Sequence, residues 1–270
     1  MSQSASAVVS RLRYGVASAI KPAIEYTGHA HRRRALCDFD ERAVTIADAR
    51  PLGDALSLDE SGFVLVRERS AVRDFLDERE VRSVYYPELE DLVARLTGAR
   101  RALAYDHLLR SGDEHEREAH ALRAPVQYAH NDYTERSGPQ RLRELLPDEA
   151  DALLGRRFAI VHVWRPLRAV LADPLAVADA RSIAASDLIA AERRMPGRVV
   201  ENYQLRYNAA QRWYWFPAMQ PGEAIVFKTF DSATDGRARF TPHSAFRDPG
   251  APAGAAQRLS VEARVFAFFA

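Results

Sequence analysis

The second half of this 270-residue chain is written largely in a period of two. Phe158, Ile160, His162 and Trp164 alternate with Ala159, Val161 and Val163, the pattern of a strand whose side chains leave opposite faces. Residues 199–207, 211–216, 224–230 and 259–269 read the same way. Asn208, Pro217, Pro221-Gly222 and Asp235-Gly236 supply turns between several of them. Short strands joined by tight turns predict a mainly β barrel or sandwich of antiparallel strands, with flanking α-helices packed outside it.

The earlier half predicts most of those helices. Ser70 reads as the N-cap of a helix through Phe75 and Leu76. Pro87 opens a second helix, with Leu89, Leu92, Val93 and Leu96 on one face and Gly98 closing it. Residues 139–154 predict a third, broken near Pro147. Residues 62–66 and 100–110 read as strands, and 111–120 as a charged, solvated loop. The chain is expected to be one domain over 1–270, with an N-terminal extension over 1–40 and a barrel core over 100–270.

Composition removes several functions. A hydrophobic content of 47%, with 12 Phe and 10 Tyr, excludes a disordered chain. No apolar run approaches the about 18 residues of a membrane helix. A net charge of +1 argues against a general nucleic-acid binder. One cysteine, Cys37, permits neither an internal disulfide nor a cysteine-based zinc site. With no secretory pattern over residues 1–11, a reducing cytoplasm is the expected location.

Among eight histidines, His130 stands out because Asp132 follows two residues later, in YAHNDYT. On a strand both side chains would leave one face. A His-x-Asp pair is common by chance; what raises it is His243, in FTPHSAF, between two predicted strands. Two histidines and one carboxylate make a facial triad, which on iron(II) leaves open coordination positions. Beyond them, Arg258 and Ser260 share a strand face, and a guanidinium beside a hydroxyl suits the far carboxylate of 2-oxoglutarate. Arg264 is the rival anchor; Glu262 would pair with it and leave it a structural role.

The remaining histidines read more plainly. His115 and His120 fall in the charged loop, His29 and His31 precede the basic run Arg32-Arg33-Arg34, and His107 suits a satisfied core position. His162, beside Trp164, fits either the core or a pocket wall. Candidate substrate-pocket residues are Tyr133, His162, Trp164, Arg165, Tyr203, Tyr207 and Trp213. Arg165 needs a partner in its apolar strand, either a substrate carboxylate or an acid such as Asp179 or Asp187.

Several blocks occur in a familiar order: SVYYPELEDLVARLTGA (83–99), YDHLLR (105–110), HNDYT (130–134), VWRPL (163–167), ADARS (178–182), RWYWFP (212–217), FKTFDS (227–232), HSAFRDP (243–249) and RLSVEAR (258–264). Over residues 40–268 the chain resembles the hydroxylase/desaturase proteins of secondary metabolism, such as the aspergillic acid hydroxylase, the fungal gibberellin desaturase and the cephamycin methoxylation protein. The resemblance implies a double-stranded β-helix (jelly-roll, cupin-like) holding non-haem Fe(II), with 2-oxoglutarate and O2 as cosubstrates. It puts His130, Asp132 and His243 on the metal and Arg258 with Ser260 on the cosubstrate. Three positions depart from the family pattern: His162 where asparagine is expected, Gln211 where histidine is usual, and Asn131 where an apolar residue is common.

The expected function is an Fe(II)/2-oxoglutarate-dependent dioxygenase, forming an alcohol or an alkene on a small secondary-metabolite or amino-acid-derived substrate. Asp132 argues against halogenation, which needs a small residue there. Neither nucleic acid nor membrane is an expected partner. Two other readings use the same residues: a facial-triad metal oxidase independent of 2-oxoglutarate, and a non-catalytic accessory protein on the same scaffold.

Overall fold

The computed structural model describes residues 7–27 and 32–270. In chain order the strands are β1 (Ala7–Gly15), β2 (Ala23–Thr27), β3 (Arg32–Ala35), β4 (Phe39–Asp48), β5 (Phe63–Arg67), β6 (Arg101–Ser111), β7 (His130–Asn131) and β8 (Phe158–Pro166). They continue as β9 (Leu175–Ala178), β10 (Leu188–Met195), β11 (Arg198–Leu205), β12 (Trp213–Trp215), β13 (Glu223–Asp231), β14 (His243–Ala245) and β15 (Leu259–Phe268). Two sheets result. The larger runs β1-β4-β12-β9-β14-β7-β11-β10-β2-β3, and the smaller β5-β13-β8-β15-β6. No described helix is long and apolar enough to cross a membrane.

The smaller sheet is buried on both faces, which is why β8, β13 and β15 are apolar almost throughout. One face, with Val161, Val163, Val226, Val261, Ala263 and Val265, packs on Tyr85, Leu89, Leu92 and Val93. Those four belong to a helical stretch made of Glu78–Glu80, a wider π turn over Val81–Tyr85, and Tyr86–Thr97. Pro87 sits in its first turn and Gly98 ends it at φ 70, a left-handed conformation that glycine adopts without strain. The opposite face points into the barrel. Its bottom is filled by Phe158, Ile160, Phe230, Phe266 and Phe268, with Leu142 from the Ser137–Leu145 helix.

The five strands expected in the second half are present, and so are those at 62–66 and 100–110. Three expectations are corrected. Residues 70–76 form no helix; the Ser70 hydroxyl accepts from Val72 N in a tight turn, and the helical stretch starts after Asp77, whose side chain caps it. Residues 114–120 are helical, because Asp113 caps Glu116 N and Ala121 closes the turn. The residues expected as an extension up to 40 instead supply sheet strands: β1 pairs along β4, and β2 pairs with β10. The barrel therefore draws on strands well before residue 100, β5 among them. His29 and His31 lie outside the described residues.

Asn131 has a structural account. It is wholly buried, donates from Nδ2 to Tyr133 O and Thr229 O, and accepts from Thr241 N. One amide thus ties the turn after His130 to β13 in the opposite sheet and to the segment leading into β14. An Asn131→Ala chain is expected to lose about 2–4 kcal/mol in stability, the cost of three hydrogen bonds and the groups they leave unpaired. Urea unfolding measures it.

Candidate metal centre

The two sheets face each other across a small buried polar centre. His130 and His243 are directly opposed residues of the antiparallel pair β7–β14, and their ring centroids are 4.4 Å apart. His130 Nδ1 lies 2.9 Å from Tyr128 O, and His243 Nδ1 lies 3.1 Å from Thr241 O. A carbonyl only accepts, so each Nδ1 carries the proton and each Nε2 keeps a free lone pair. Burial, and then the field of His243, push the His130 imidazole down to about 3; burial likewise lowers His243. Both rings are neutral at ordinary pH, the form that binds metals.

Asp132 comes off the end of β7 and is wholly enclosed. Its Oδ1 lies 3.8 Å from His130 Nε2 and accepts from Arg193 Nη1 at 2.7 Å. Its Oδ2 accepts from Arg264 Nη2 at 3.2 Å. Burial opposes the carboxylate charge, but Arg193 and Arg264 outweigh it and hold the carboxyl well below the usual range. Two neutral imidazole nitrogens and one ionised carboxylate form a donor set suited to Fe(II).

Glu262 is the residue that sequence reasoning places outside the centre. One ligand atom each from Asp132, His243 and Glu262 lie within 4.8 Å of one another. Glu262 Oε1 also meets Arg264 Nη2 at 3.3 Å and His162 Nδ1 at 3.2 Å. It continues the two-residue period of Arg258 and Ser260, and a charge at that register in a buried strand is the available signal. Arg264, on the same face, is not merely structural, since it bonds Asp132, Asp106 and Glu262 together. Arg193 gives no sequence signal.

His162 stands opposite Arg264 in the β8–β15 pairing. It is wholly buried, 3.6 Å from Asp132 Oδ2 as well as close to Glu262, so it lies behind the centre rather than on a pocket wall. His162→Asn is expected to cost at most about 10–100-fold in Fe(II) affinity, the range for a residue that supports a ligand. An anaerobic Fe(II) titration reads it; loss of all binding would make His162 a ligand.

Arg258 and Ser260 meet the requirements of an anion site. Arg258 is 1% exposed, crosses the Trp164 ring at 5.3 Å, and donates from Nη1 to Asp173 O at 2.7 Å. Its Nε and the Ser260 hydroxyl have no partner among the described residues. No carboxylate there contacts the guanidinium, and burial, then Arg110, lower it to about 10. Arg258 lines one cavity with Trp164, His130, His243 and Glu262. A cation in such a place is complete only with an anion. Its orphaned donors are of the kind that a carboxylate satisfies.

The other pocket candidates scatter. Tyr133 is near: its ring meets His162 edge-on, and its hydroxyl bonds Tyr105 Oη at 2.8 Å. Trp164 lies in the Arg258 cavity. Arg165 points the other way, because alternate residues of β8 face the helix; it donates to Glu68 O, Pro221 O and Tyr85 Oη. Asp179 and Asp187 serve other partners, Arg181 with Arg212 and Asn208 with Gln211. Tyr203 packs on Phe240, whereas Tyr207 and Trp213 pack on Tyr14. His107 bonds the Tyr86 hydroxyl, and His115 is exposed on its helix.

Comparison with known proteins agrees with this chemistry. Residues 14–268 match the family described as Oxidoreductase/YMDC permease-like domain. The hydroxylase/desaturase efuI of Hormonema carpetanum is 34% identical over 256 residues, 86% of this chain and 85% of that protein. The Fe(II)/2-oxoglutarate-dependent dioxygenase nvfI of Aspergillus novofumigatus is 31% identical, over 83% of this chain and 82% of its own. A solved structure of the iron and alpha-ketoglutarate-dependent endoperoxidase NvfI superposes with a TM-score of 0.85 at 27% identity, covering 97% of this chain and 98% of that one. The two-sheet barrel is accordingly the jelly-roll core of such oxygenases. Sequence and architecture together place the chain in this oxidoreductase family, among the Fe(II)/2-oxoglutarate-dependent hydroxylase/desaturase oxygenases.

Proposed function

We propose that His130, Asp132 and His243 hold the Fe(II), that Arg258 and Ser260 hold the far carboxylate of 2-oxoglutarate, and that the chain hydroxylates or desaturates a small secondary-metabolite or amino-acid-derived molecule. One observation carries this reading: the orphaned donors of Arg258 and Ser260 lie on the face of β15 that bounds the histidines' cavity. The bound iron and cosubstrate supply oxidising power, as 2-oxoglutarate loses carbon dioxide to become succinate. The protein's residues do the rest. Tyr128 O and Thr241 O fix the two imidazole tautomers, and Arg193 and Arg264 keep Asp132 ionised. Trp164 walls the cosubstrate side and Tyr133 the opposite side.

The whole chain is read as one oxygenase unit acting in the cytoplasm, where the free Cys37 suits a reducing environment. The test is anaerobic loading with Fe(II) and 2-oxoglutarate followed by oxygen. Succinate formed with oxygen uptake supports the reading. Oxygen uptake without succinate would favour the facial-triad oxidase, and neither would favour an accessory protein. Candidate substrates are then screened by mass spectrometry for gain of one oxygen atom or loss of two hydrogens.

A further inference from the structure

Arg193 and Arg264, the two arginines that hold Asp132, also line a second cavity, of about 130 Å³. Six arginines line it, Arg110, Arg123, Arg141, Arg193, Arg198 and Arg264, against only two carboxylates, Asp106 and Glu144. Four of the six are engaged. Arg193 holds Asp132, Arg264 holds Asp106, Asp132 and Glu262, and Arg141 and Arg198 share Glu144.

Arg110 and Arg123 are not. Arg110 is 8% exposed, and its one side-chain hydrogen bond goes from Nη1 to Ala124 O. Among the described residues no ion pair reaches it, and the side chain of Arg123 has neither ion pair nor hydrogen bond. Residues 1–6 and 28–31, outside the described ones, contain no Asp or Glu. The two backbones are fixed side by side: Arg110 and Arg123 form a parallel bridge, with Ser111 N donating to Arg123 O and Arg123 N to Leu109 O. Arg110 also stands opposite Ser260 in the β6–β15 pairing, and so faces the barrel interior. It bounds both the cavity of Arg258 and this one.

Two neighbouring guanidinium groups, Arg110 buried and Arg123 part-buried, with Glu262 the main charge opposing Arg110 but no ion pair to either among the described residues, are eased by an anion between them. Burial comes first in lowering both, and for Arg123 the fields of Arg110 and Arg264 add to it. The rest of the wall mixes Tyr26, Tyr133, Met195, Val199 and Val200 with the polar Ser137 and Gln140. We propose that Arg110 and Arg123 form a carboxylate-binding point for the primary substrate, which is therefore an organic acid. Only the identity of the bound acid as the oxidised molecule rests on the oxygenase reading; the anion site does not.

The test uses the full chain without metal and one probe pair, p-bromobenzoate and the uncharged p-bromobenzamide. Calorimetry should show the acid binding about tenfold or more tighter than the amide. Arg123→Gln should remove about ten- to a hundredfold of the acid's affinity, and Arg123→Lys, which keeps the charge, should restore most of it. Arg258→Ala should leave it unchanged, and the bromine's anomalous signal should lie beside Arg110 and Arg123. Equal affinity for acid and amide overturns the proposal. So does loss in Arg258→Ala with retention in Arg123→Gln, because the acid would then occupy the cosubstrate's place. Failure of the chain to bind iron would touch the oxygenase reading and leave these outcomes intact.

Discussion

Replacing His243 by alanine is expected to abolish stoichiometric Fe(II) binding while the chain still folds. The expected drop exceeds about a hundredfold in affinity, since disturbing a residue that merely supports a ligand already costs about 10–100-fold. His130→Ala should do the same, and that variant decides a competition inside the centre. The tightest trio of ligand atoms is Asp132, His243 and Glu262, whereas His130 is placed by its pairing with His243 and its 3.8 Å approach to Asp132. Charge decides in favour of His130. Glu262 already pairs with Arg264 and lies 3.2 Å from His162 Nδ1, so a metal there would compete with both contacts. The His130 Nε2 is engaged by nothing but the neighbouring carboxylate, and its Nδ1 proton is fixed by Tyr128 O. Metal analysis of anaerobically loaded protein therefore should find about one iron per chain in Glu262→Gln and little in His130→Ala. The reverse result would exchange the two residues.

What the sequence discloses follows from register. Arg258, Ser260, Glu262 and Arg264 occupy alternate positions of a strand whose remaining residues are apolar, so the pattern of residues alone assigns them a common face. The strands buried on both sides, β8 and β13, are legible as apolar runs for the same reason. Register also explains the failure at Arg165: adjacency groups it with Trp164, yet successive residues of a strand point to opposite faces. Tyr203, Tyr207 and Trp213 are aromatic residues near predicted strands, and nothing in a period of two says which side of the larger sheet is the barrel interior. Long-range contacts are beyond reach altogether. Arg193 meets Asp132 across 61 residues, and Arg110 meets Arg123 through a single bridge. The N-terminal strands escape notice because β1 and β4 pair at an edge, where one face stays in water and the apolar alternation is weak.

Arg258→Met should separate cosubstrate binding from stability, with opposite signs. Arg264 already has both terminal nitrogens on carboxylates, those of Asp106, Asp132 and Glu262. Arg258 has only a carbonyl, the Trp164 ring and an unpaired Nε, with the unpaired Ser260 hydroxyl on its strand face. A hydrogen bond to a charged group contributes roughly 1.5–3 kcal/mol. Its loss should raise the 2-oxoglutarate requirement by about 10- to 150-fold, with Fe(II) affinity nearly unchanged. Without ligand, the variant should melt at or above the parent's temperature, because methionine fills similar space and removes a buried cation that has no carboxylate partner. Adding 2-oxoglutarate at about a hundredfold excess over Kd should stabilise the metal-loaded parent by about 2.7 kcal/mol. The same concentration should stabilise the variant by only about 0.3–1.4 kcal/mol. Thermal melts with and without cosubstrate read both effects in one experiment. A variant that melts lower yet still gains the full increment would show that the carboxylate is held elsewhere and that Arg258 serves the fold.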